Sequence, residues 1–216
     1  MKKTYILDSL QSYVDLKLKK ILCLKHPPLH CFYVYKKNMI LHNGIIDVAE
    51  FCPSPNFDER PQNTDINLFV IHAISLPPGN YDTQLVKDLF LNCLDPGKDE
   101  FLRSIKDLKV SSHFLITRQG KLIQFVPIHK RAWHAGISNY KGREKCNDFS
   151  IGIELEGCDE DEFELQQYDT LSQLINYLSN DLKISKQNIV GHADIAPGRK
   201  TDPGPYFDWS LLQSML

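Results

Sequence analysis

The last quarter of the chain contains a loop in which several reactive side chains lie close together. Over Gly191 to Gly204, the loop carries His192, Lys200 and Asp202 together with two prolines and three glycines. Pro203 disfavours a helical conformation at Asp202, and residues two apart in extended chain point the same way, so we expect Lys200 and Asp202 to share a face. A cation and an anion would then flank one pocket, which indicates a metal site or an acid–base site.

A second histidine stands in an apolar run. Asn67 to Ile74 predict a central strand buried on both faces, and His72 is its odd residue. Taken alone, such a histidine is more often a hydrogen-bonded core residue. His192, however, follows two β-branched residues and is predicted to end a short strand, where enzymes built on sheets often carry reacting groups. Two histidines and Asp202 would give three ligands and a vacant position for water, as in hydrolytic zinc sites.

Other histidines leave alternatives open for this ligand set, because any of them could replace one of the three. The alternatives are His26, His30, His42, His113, His129 and His134. His134 follows Trp133 in a segment that mixes aromatic surface with hydrogen-bond donors, which favours a groove wall that contacts substrate. Packing is the alternative for His134.

Hydrolysis of an amide also requires a base for the attacking water and a proton for the leaving amine. In the predicted strand around Ile151 to Gly157, alternation places Gly152, Glu154 and Glu156 on one face. Burying two carboxylates on an apolar strand costs free energy unless each is paired with a cation or takes part in the chemistry. Either can be the base, and a structural ion pair is the alternative for one of them. Lys200 is placed to stabilise an oxyanion, and a surface salt bridge is its alternative.

The elements that must position these residues form a recognisable order. Helical periodicity is predicted over residues 84–93, 99–106 and 165–182, and a hairpin over 110–127 turns at Gln119-Gly120. A further strand is predicted over residues 149–155. The order β-α-β-β-β-α-β predicts an α/β fold of the mixed α+β kind, a single domain with a central mixed sheet flanked by helices.

The N-terminal segment differs from the rest. Residues 1–38 hold eight lysines and two aspartates, a net charge of +6, so the other residues carry −8 to reach the total of −2. We predict a basic extension over residues 1–38, helical from Tyr5 to Leu24, followed by the domain over residues 39–216. A solvated tail is the favoured interpretation of the basic extension, with contact to RNA or anionic lipid as the alternative. Met39 is a candidate start of translation, and an accessory helix packed on the domain is the alternative.

Composition and charge argue against a membrane protein, a secreted protein and a nucleic-acid-binding protein. Every apolar run is too short to span a bilayer, and polar residues interrupt the start of the chain where a secretion signal would need an apolar stretch. The six cysteines show no Cys-x-x-Cys spacing, which favours free thiols in the cytoplasm. An acidic domain is a poor nucleic-acid binder. We therefore expect a monomer with no nucleic-acid partner and no stable membrane association.

Four segments together resemble the AmpD family, the cytoplasmic N-acetylmuramoyl-L-alanine amidases of Gram-negative bacteria. This family is part of a wider group of zinc amidases that includes the peptidoglycan recognition proteins. The resemblance runs in order from about Met39 to the C-terminus, and four motifs at compatible spacing are far more specific than one. The segments are His72 to Gly79, Lys130 to Gly136, Asn147 to Gly157 and Gly191 to Gly204.

The resemblance implies one Zn²⁺ per chain and hydrolysis of the amide between (1,6-anhydro-)N-acetylmuramic acid and the L-alanine of muropeptides, in peptidoglycan recycling. It implies that His72, His192 and Asp202 bind zinc, that Glu154 is the general base and that Lys200 stabilises the transition state. The implied substrate-binding residues are Trp133, His134, Lys109 and Lys145.

Three departures from the family pattern stand out. Lys109 and Lys145 occupy positions where the family tends to carry arginines for the peptide's carboxylates, and lysine lacks the bidentate fork. Ala73 replaces a more usual asparagine next to the first histidine ligand, and the leader over residues 1–38 has no recognised counterpart in the family. A muropeptide-binding module without activity is one alternative, but the complete ligand set argues against it. A secreted autolysin is another, and it would need an export signal.

Overall fold

The structure is a computed structural model that describes residues 39–216. The predicted extension over residues 1–38 and its helix lie outside the described residues. The strands are β1 (Leu41–His42), β2 (Ile45–Ile46), β3 (Glu50–Phe51), β4 (Phe57–Glu59), β5 (Leu68–Ile74), β6 (Phe114–Ile116), β7 (Leu122–Gln124), β8 (Lys130–Ala132), β9 (Asn139–Tyr140), β10 (Arg143–Glu144), β11 (Ser150–Glu156) and β12 (Ile189–Gly191).

Six of these strands form one mixed sheet in the order β12-β5-β11-β6-β7-β3. At its centre, β11 runs parallel to both β5 and β6, and β12 runs parallel to β5 on the other side. β6 and β7 form an antiparallel hairpin, and β3 runs parallel to β7. The remaining strands form the two-stranded pairs β1–β2, β4–β8 and β9–β10. The predicted central mixed sheet is therefore confirmed.

The hairpin turn that the sequence predicts at Gln119-Gly120 is also present. The backbone N–H of Gly120 donates to the carbonyl oxygen of Thr117 at 2.8 Å, which closes a turn between β6 and β7. Gly120 has a φ of 76°, in the left-handed region that favours glycine. A Cβ there would lie 2.7 Å from the backbone oxygen of Gln166, so space and conformation both require glycine.

The helices flank this sheet, and three of them begin after an aspartate. The carboxylates of Asp82, Asp99 and Asp208 each accept a hydrogen bond from a backbone N–H in the first turn of the helix that follows. Within residues 39–216, none of the helices has both the length and the hydrophobicity to cross a membrane. The helices are α1 (Thr83–Phe90), α2 (Glu100–Ile105), α3 (Leu165–Leu182), α4 (His192–Ile195) and α5 (Trp209–Met215), and a short 3-10 helix spans Cys146–Asp148.

The long helix α3 supplies much of the main hydrophobic core. Its predicted apolar stripe is buried against side chains of β5 and β11 in one cluster. Its N-terminus is fixed by the side chain of Gln167, which accepts a hydrogen bond from the backbone N–H of Glu164 at 3.0 Å. The sheet that carries the candidate site therefore rests on this helix.

Shortening one core residue of α3 should destabilise the domain without touching the candidate site. Leu174 is fully buried, so Leu174→Ala should lower the free energy of unfolding by about 2–5 kcal/mol through lost burial and a residual cavity. Leu165 on the same helix is 70% exposed, so Leu165→Ala should change it by less than about 0.5 kcal/mol. Urea unfolding of both variants measures the difference, and equal losses would contradict this account of the core.

Candidate metal centre and active site

Parallel pairing of the central strands assembles most of the candidate site. The register of β5 and β11 places His72 beside Glu154, and both side chains are buried. On the other side of β5, strand β12 ends at Gly191, so that His192 is the first residue of α4. The prediction that His192 ends the strand is wrong by one residue, because the strand ends at Gly191 and the chain turns directly into a helix.

Three side chains converge at this edge of the sheet. Nδ1 of His72 lies 3.0 Å from Nδ1 of His192, and Oδ2 of Asp202 lies 3.1 Å from each of these nitrogens. The loop that follows α4 brings Asp202 back, since the backbone N–H of Ala193 donates to the carbonyl oxygen of Asp202 at 2.9 Å. Among residues 39–216, no other group of three histidine, cysteine or acidic side chains converges in this way.

The charge states of these groups suit metal binding. Burial lowers the pKa of His72 to about 4, so the imidazole is neutral at neutral pH. Burial acts to raise the pKa of Asp202, but the adjacent imidazoles of His192 and His72 outweigh it and hold that pKa well below its usual value. Neutral imidazoles and an ionised carboxylate are the forms in which these residues coordinate divalent metals.

Of the two carboxylates on β11, only Glu154 has an oxygen without a hydrogen-bond partner. Its Oε2 is buried and has no hydrogen-bond partner in the protein. Burial raises the pKa of Glu154 well above its usual value, and the negative charge of Asp202 adds to this. Glu156 instead accepts hydrogen bonds from the Thr83 hydroxyl and from the backbone N–H of Arg118. Glu156 is therefore the structural carboxylate, although these partners are not the basic side chains that an ion pair requires.

A cavity of about 500 Å³ opens beside the three converging side chains. Asp202 and the exposed Lys200 both line it, so an anion and a cation flank one pocket as the sequence predicts. The end of β5, the segments that follow β5 and β11, and other residues of the reactive loop form the rest of its wall. The lining residues are Ala73, Ile74, Ser75, Pro78, Gly79, Gly157, Cys158, Asp159, Glu160, Asp161, Arg199, Lys200, Thr201 and Asp202.

Comparison with known proteins gives this arrangement a family. Residues 62–205 match the family described as N-acetylmuramoyl-L-alanine amidase, Amidase_2. Over 178 residues the chain is 48% identical to the 1,6-anhydro-N-acetylmuramyl-L-alanine amidase AmpD of Escherichia coli strain K12, which covers 82% of this chain and 97% of that protein. The chain belongs to the N-acetylmuramoyl-L-alanine amidase family. The resemblance to AmpD in the sequence motifs is thereby confirmed.

Solved structures of amidase family members share the fold. A crystal structure of a selenomethionine AmpD derivative superposes with a TM-score of 0.80 at 46% identity, over 82% of this chain and 99% of that one. The amidase AmiD of Escherichia coli, in complex with the substrate anhydro-N-acetylmuramic acid-L-Ala-D-γ-Glu-L-Lys, superposes with a TM-score of 0.53 at 32% identity. That superposition covers 73% of this chain and 60% of AmiD. The mixed sheet with flanking helices is thus the amidase family fold.

One predicted substrate contact of the amidase site has a different position. His134 is buried, with Nδ1 2.9 Å from Nε2 of His72 and Nε2 3.2 Å from the hydroxyl of Ser150. Both ring nitrogens therefore face protein groups, and neither is free to hydrogen-bond a substrate. The ring of His134 lies behind a candidate metal ligand, as the packing alternative expects, and its contact with substrate stays a prediction.

The other predicted substrate residues lie at the surface. Trp133 is half-buried beside Ser111, whose hydroxyl accepts a hydrogen bond from the tryptophan backbone N–H at 3.1 Å. Lys109 is exposed in the chain between α2 and β6. Lys145 is exposed and lines a second cavity of about 500 Å³ together with Arg199, which also lines the first. The two cavities thus share one wall residue, Arg199.

Two contributors to the site could not be recognised as such from the sequence. The carbonyl oxygen of Ala135 lies 3.1 Å from Nε2 of His192, and a backbone group cannot be identified from residue type. The same oxygen accepts a hydrogen bond from the guanidinium of Arg199 at 2.6 Å. Arg199 stands next to Lys200 in the reactive loop, so its presence is visible in the sequence, but its role as a shared wall depends on the fold.

Proposed function

We propose that this chain is a zinc-dependent N-acetylmuramoyl-L-alanine amidase. It hydrolyses the amide between (1,6-anhydro-)N-acetylmuramic acid and the L-alanine of muropeptides, in cytoplasmic peptidoglycan recycling. One observation carries the proposal, namely the convergence of two imidazole nitrogens and a carboxylate oxygen beside the unpartnered oxygen of Glu154. The relatives that match most of the chain are AmpD amidases, which supports the same reaction.

The three converging groups fit a zinc ion. Ligand atoms about 2.0–2.1 Å from a tetrahedral zinc lie roughly 3.3 Å apart, close to the 3.0–3.1 Å separations of these three atoms. Nε2 of His192 lies 3.1 Å from the carbonyl oxygen of Ala135, which only accepts hydrogen bonds, and 3.4 Å from the Arg199 guanidinium, which only donates them. A proton on Nε2 satisfies the shorter of these contacts and leaves Nδ1 with a lone pair toward the carboxylate of Asp202. Nδ1 of His192 and the carboxylate of Asp202 then face each other as two acceptors, and a cation between them would bind to both.

We propose that His72, His192 and Asp202 would hold zinc, with one ion per chain. A zinc ion held by three protein ligands supplies a Lewis acid that brings the pKa of a water molecule to about 7. The two neutral imidazoles and the single carboxylate preserve about one unit of positive charge at the site. This residual positive charge would polarise the carbonyl group of an amide substrate.

Glu154 is proposed to move the proton. Its unpartnered oxygen and its neighbouring position to His72 suit a base that deprotonates the attacking water. Because burial raises the pKa of this carboxyl, it also holds the proton long enough to deliver it to the leaving amine. Both halves of the hydrolysis, deprotonation of water and protonation of the amine, then use one side chain.

Lys200 is proposed to stabilise the negative charge that develops on the amide oxygen. It lines the same cavity as Asp202. Its positive charge acts to lower the pKa of Glu154, against the larger effect of burial. A fixed cation at that position lowers the energy of a tetrahedral oxyanion more than that of the neutral substrate. We further propose that Trp133 lines the substrate groove and that Lys109 and Lys145 bind carboxylates of the stem peptide.

The proposal predicts release of the intact peptide from an anhydro-muramyl peptide. Incubation of the full-length chain with that substrate, with and without zinc, should yield free peptide by mass spectrometry only when zinc is present. A parallel digestion of intact sacculi should yield much less product, because we expect soluble recycling fragments rather than intact wall to be the substrate. Failure to release peptide from zinc-loaded enzyme would overturn the proposal.

A cytoplasmic location is part of the proposal. Cys52, Cys93, Cys146 and Cys158 are all free thiols in the described part of the chain, as expected for a reducing compartment. The expectation of a monomer without nucleic-acid or stable membrane partners stays a prediction.

A further inference from the structure

The hydrogen bonds around His134 have only one possible direction. The hydroxyl of Ser150 lies 2.6 Å from the carbonyl oxygen of Cys146, which only accepts, so Ser150 donates its proton there. Ser150 must then accept from His134 at 3.2 Å, which places the His134 proton on Nε2. A neutral imidazole carries a single N–H, so Nδ1 of the buried His134 ring is left as an acceptor.

The direction of this chain extends to the metal site. Nε2 of His72 lies 2.9 Å from Nδ1 of His134, so His72 donates from Nε2. Its Nδ1 then keeps a lone pair, and this is the atom that points toward His192 and Asp202. We propose that His134 is a positioning residue that fixes the tautomer and ring orientation of His72 for metal binding, with Ser150 fixing His134 in turn.

Gly152 supplies the space that His134 occupies. A Cβ at Gly152 would lie 2.5 Å from Cγ and 2.6 Å from Nδ1 of the His134 ring. The ring is held at both nitrogens and cannot move aside without breaking one of these hydrogen bonds. A glycine within the buried strand β11 is thus explained by the close approach of this imidazole.

The backbone of His134 is held as firmly as its ring. The side-chain oxygen of Asn147 accepts hydrogen bonds from the backbone N–H groups of His134 at 3.2 Å and of Ala135 at 2.8 Å. These two consecutive residues orient both candidate histidine ligands, since Nδ1 of His134 accepts from His72 and the carbonyl of Ala135 accepts from His192. Asn147 therefore anchors the acceptors of both ligands.

The inference rests on the proposed zinc site, and zinc affinity rather than activity tests it. In the full-length chain, His134→Phe keeps a ring but removes the acceptor, and it should weaken zinc binding by about 10–100-fold in competition with a chromophoric chelator. His134→Asn can place its side-chain oxygen where Nδ1 lies, and it should restore most of the affinity. Gly152→Ala should weaken binding as well, because the added methyl displaces the ring.

Leu174→Ala is the matched control for general destabilisation, since Leu174 is buried in the core and touches no proposed ligand. It should bind zinc as the wild type does. Equal affinity of His134→Phe and wild type, or no recovery in His134→Asn, would overturn the positioning role. A wild-type chain that binds no zinc would instead overturn the proposed function, so the two failures are distinguishable.

A second measurement covers the case in which His134→Phe does not fold. In the metal-free protein, nitrogen-15 NMR of the histidine side chains should show His72 protonated at Nε2 in the wild type. Ser150→Ala removes the acceptor that holds the His134 proton on Nε2, so it should produce a mixture of tautomers at both rings. Unchanged tautomers in Ser150→Ala would contradict the inferred direction of the chain.

Discussion

Glu154→Gln should retain zinc and lose turnover by about 10²–10⁴-fold, the usual contribution of a positioned general base. The glutamine fills the same buried space beside His72 but cannot accept a proton from water. Steady-state rates with an anhydro-muramyl peptide measure the loss, and elemental analysis of the same sample measures the zinc.

The matched control for this prediction is Glu156→Gln. Glu156 is a buried carboxylate on the same strand face, but Thr83 and Arg118 engage both of its oxygens. Its replacement should reduce thermal stability while turnover of the folded enzyme stays close to that of the wild type. Full activity in Glu154→Gln, or equal loss in the two variants, would remove Glu154 from the proposed role.

Asp202→Ala should abolish zinc binding and, with it, activity. The substitution removes the only charged ligand of the three and leaves the two imidazoles to share the ion with solvent. Purified variant protein should contain almost no zinc by elemental analysis, and added zinc at wild-type saturating concentrations should not restore hydrolysis.

Glu160→Ala controls for the loss of a negative charge near the site. Glu160 is exposed and lines the same cavity, but it lies outside the converging group of ligands. This variant should purify with a full complement of zinc. An Asp202→Ala protein that keeps its zinc would show that Asp202 is not a ligand, whatever its activity.

The strands that carry the site could be predicted because each is a nearly continuous apolar run. Asn67 to Ile74 differs from the observed β5 by one residue at its start, and Phe149 to Leu155 differs from β11 by one residue at each end. His72 and Glu154 stand out as polar residues within these runs. Residue chemistry made them candidates, and the family resemblance gave each a role. The register that places them side by side follows from the parallel pairing of the two strands, which no local pattern reveals.

The roles of Glu154 and Glu156 could not be separated from the sequence. Both lie on one face of β11, and alternation treats them alike. What distinguishes them is the set of partners around Glu156, which come from α1 and from the hairpin turn after β6. Such partners are distant in the chain, so only the assembled fold decides which carboxylate is satisfied.

The inward orientation of the His134 ring could not be predicted for a similar reason. Its neighbours Trp133 and Arg131 suggest a polar groove, but the ring turns inward because Gly152 leaves room for it. Gly152 was visible as a glycine in a strand, which is a known sign of close approach. The identity of the approaching group could not be inferred without the packing of β8 and the 3-10 helix against β11.

The register between β5 and β11 also determines where this protein can tolerate changes in length. Adding or deleting a single residue within either strand, upstream of His72 or Glu154, would send one of the two side chains to the opposite face of the sheet. An insertion in the exposed turn between α1 and α2 would leave that alignment intact. Engineered insertions should therefore be tolerated in such loops, and differences in length between related sequences should be found there. The number of residues within the two strands should stay constant.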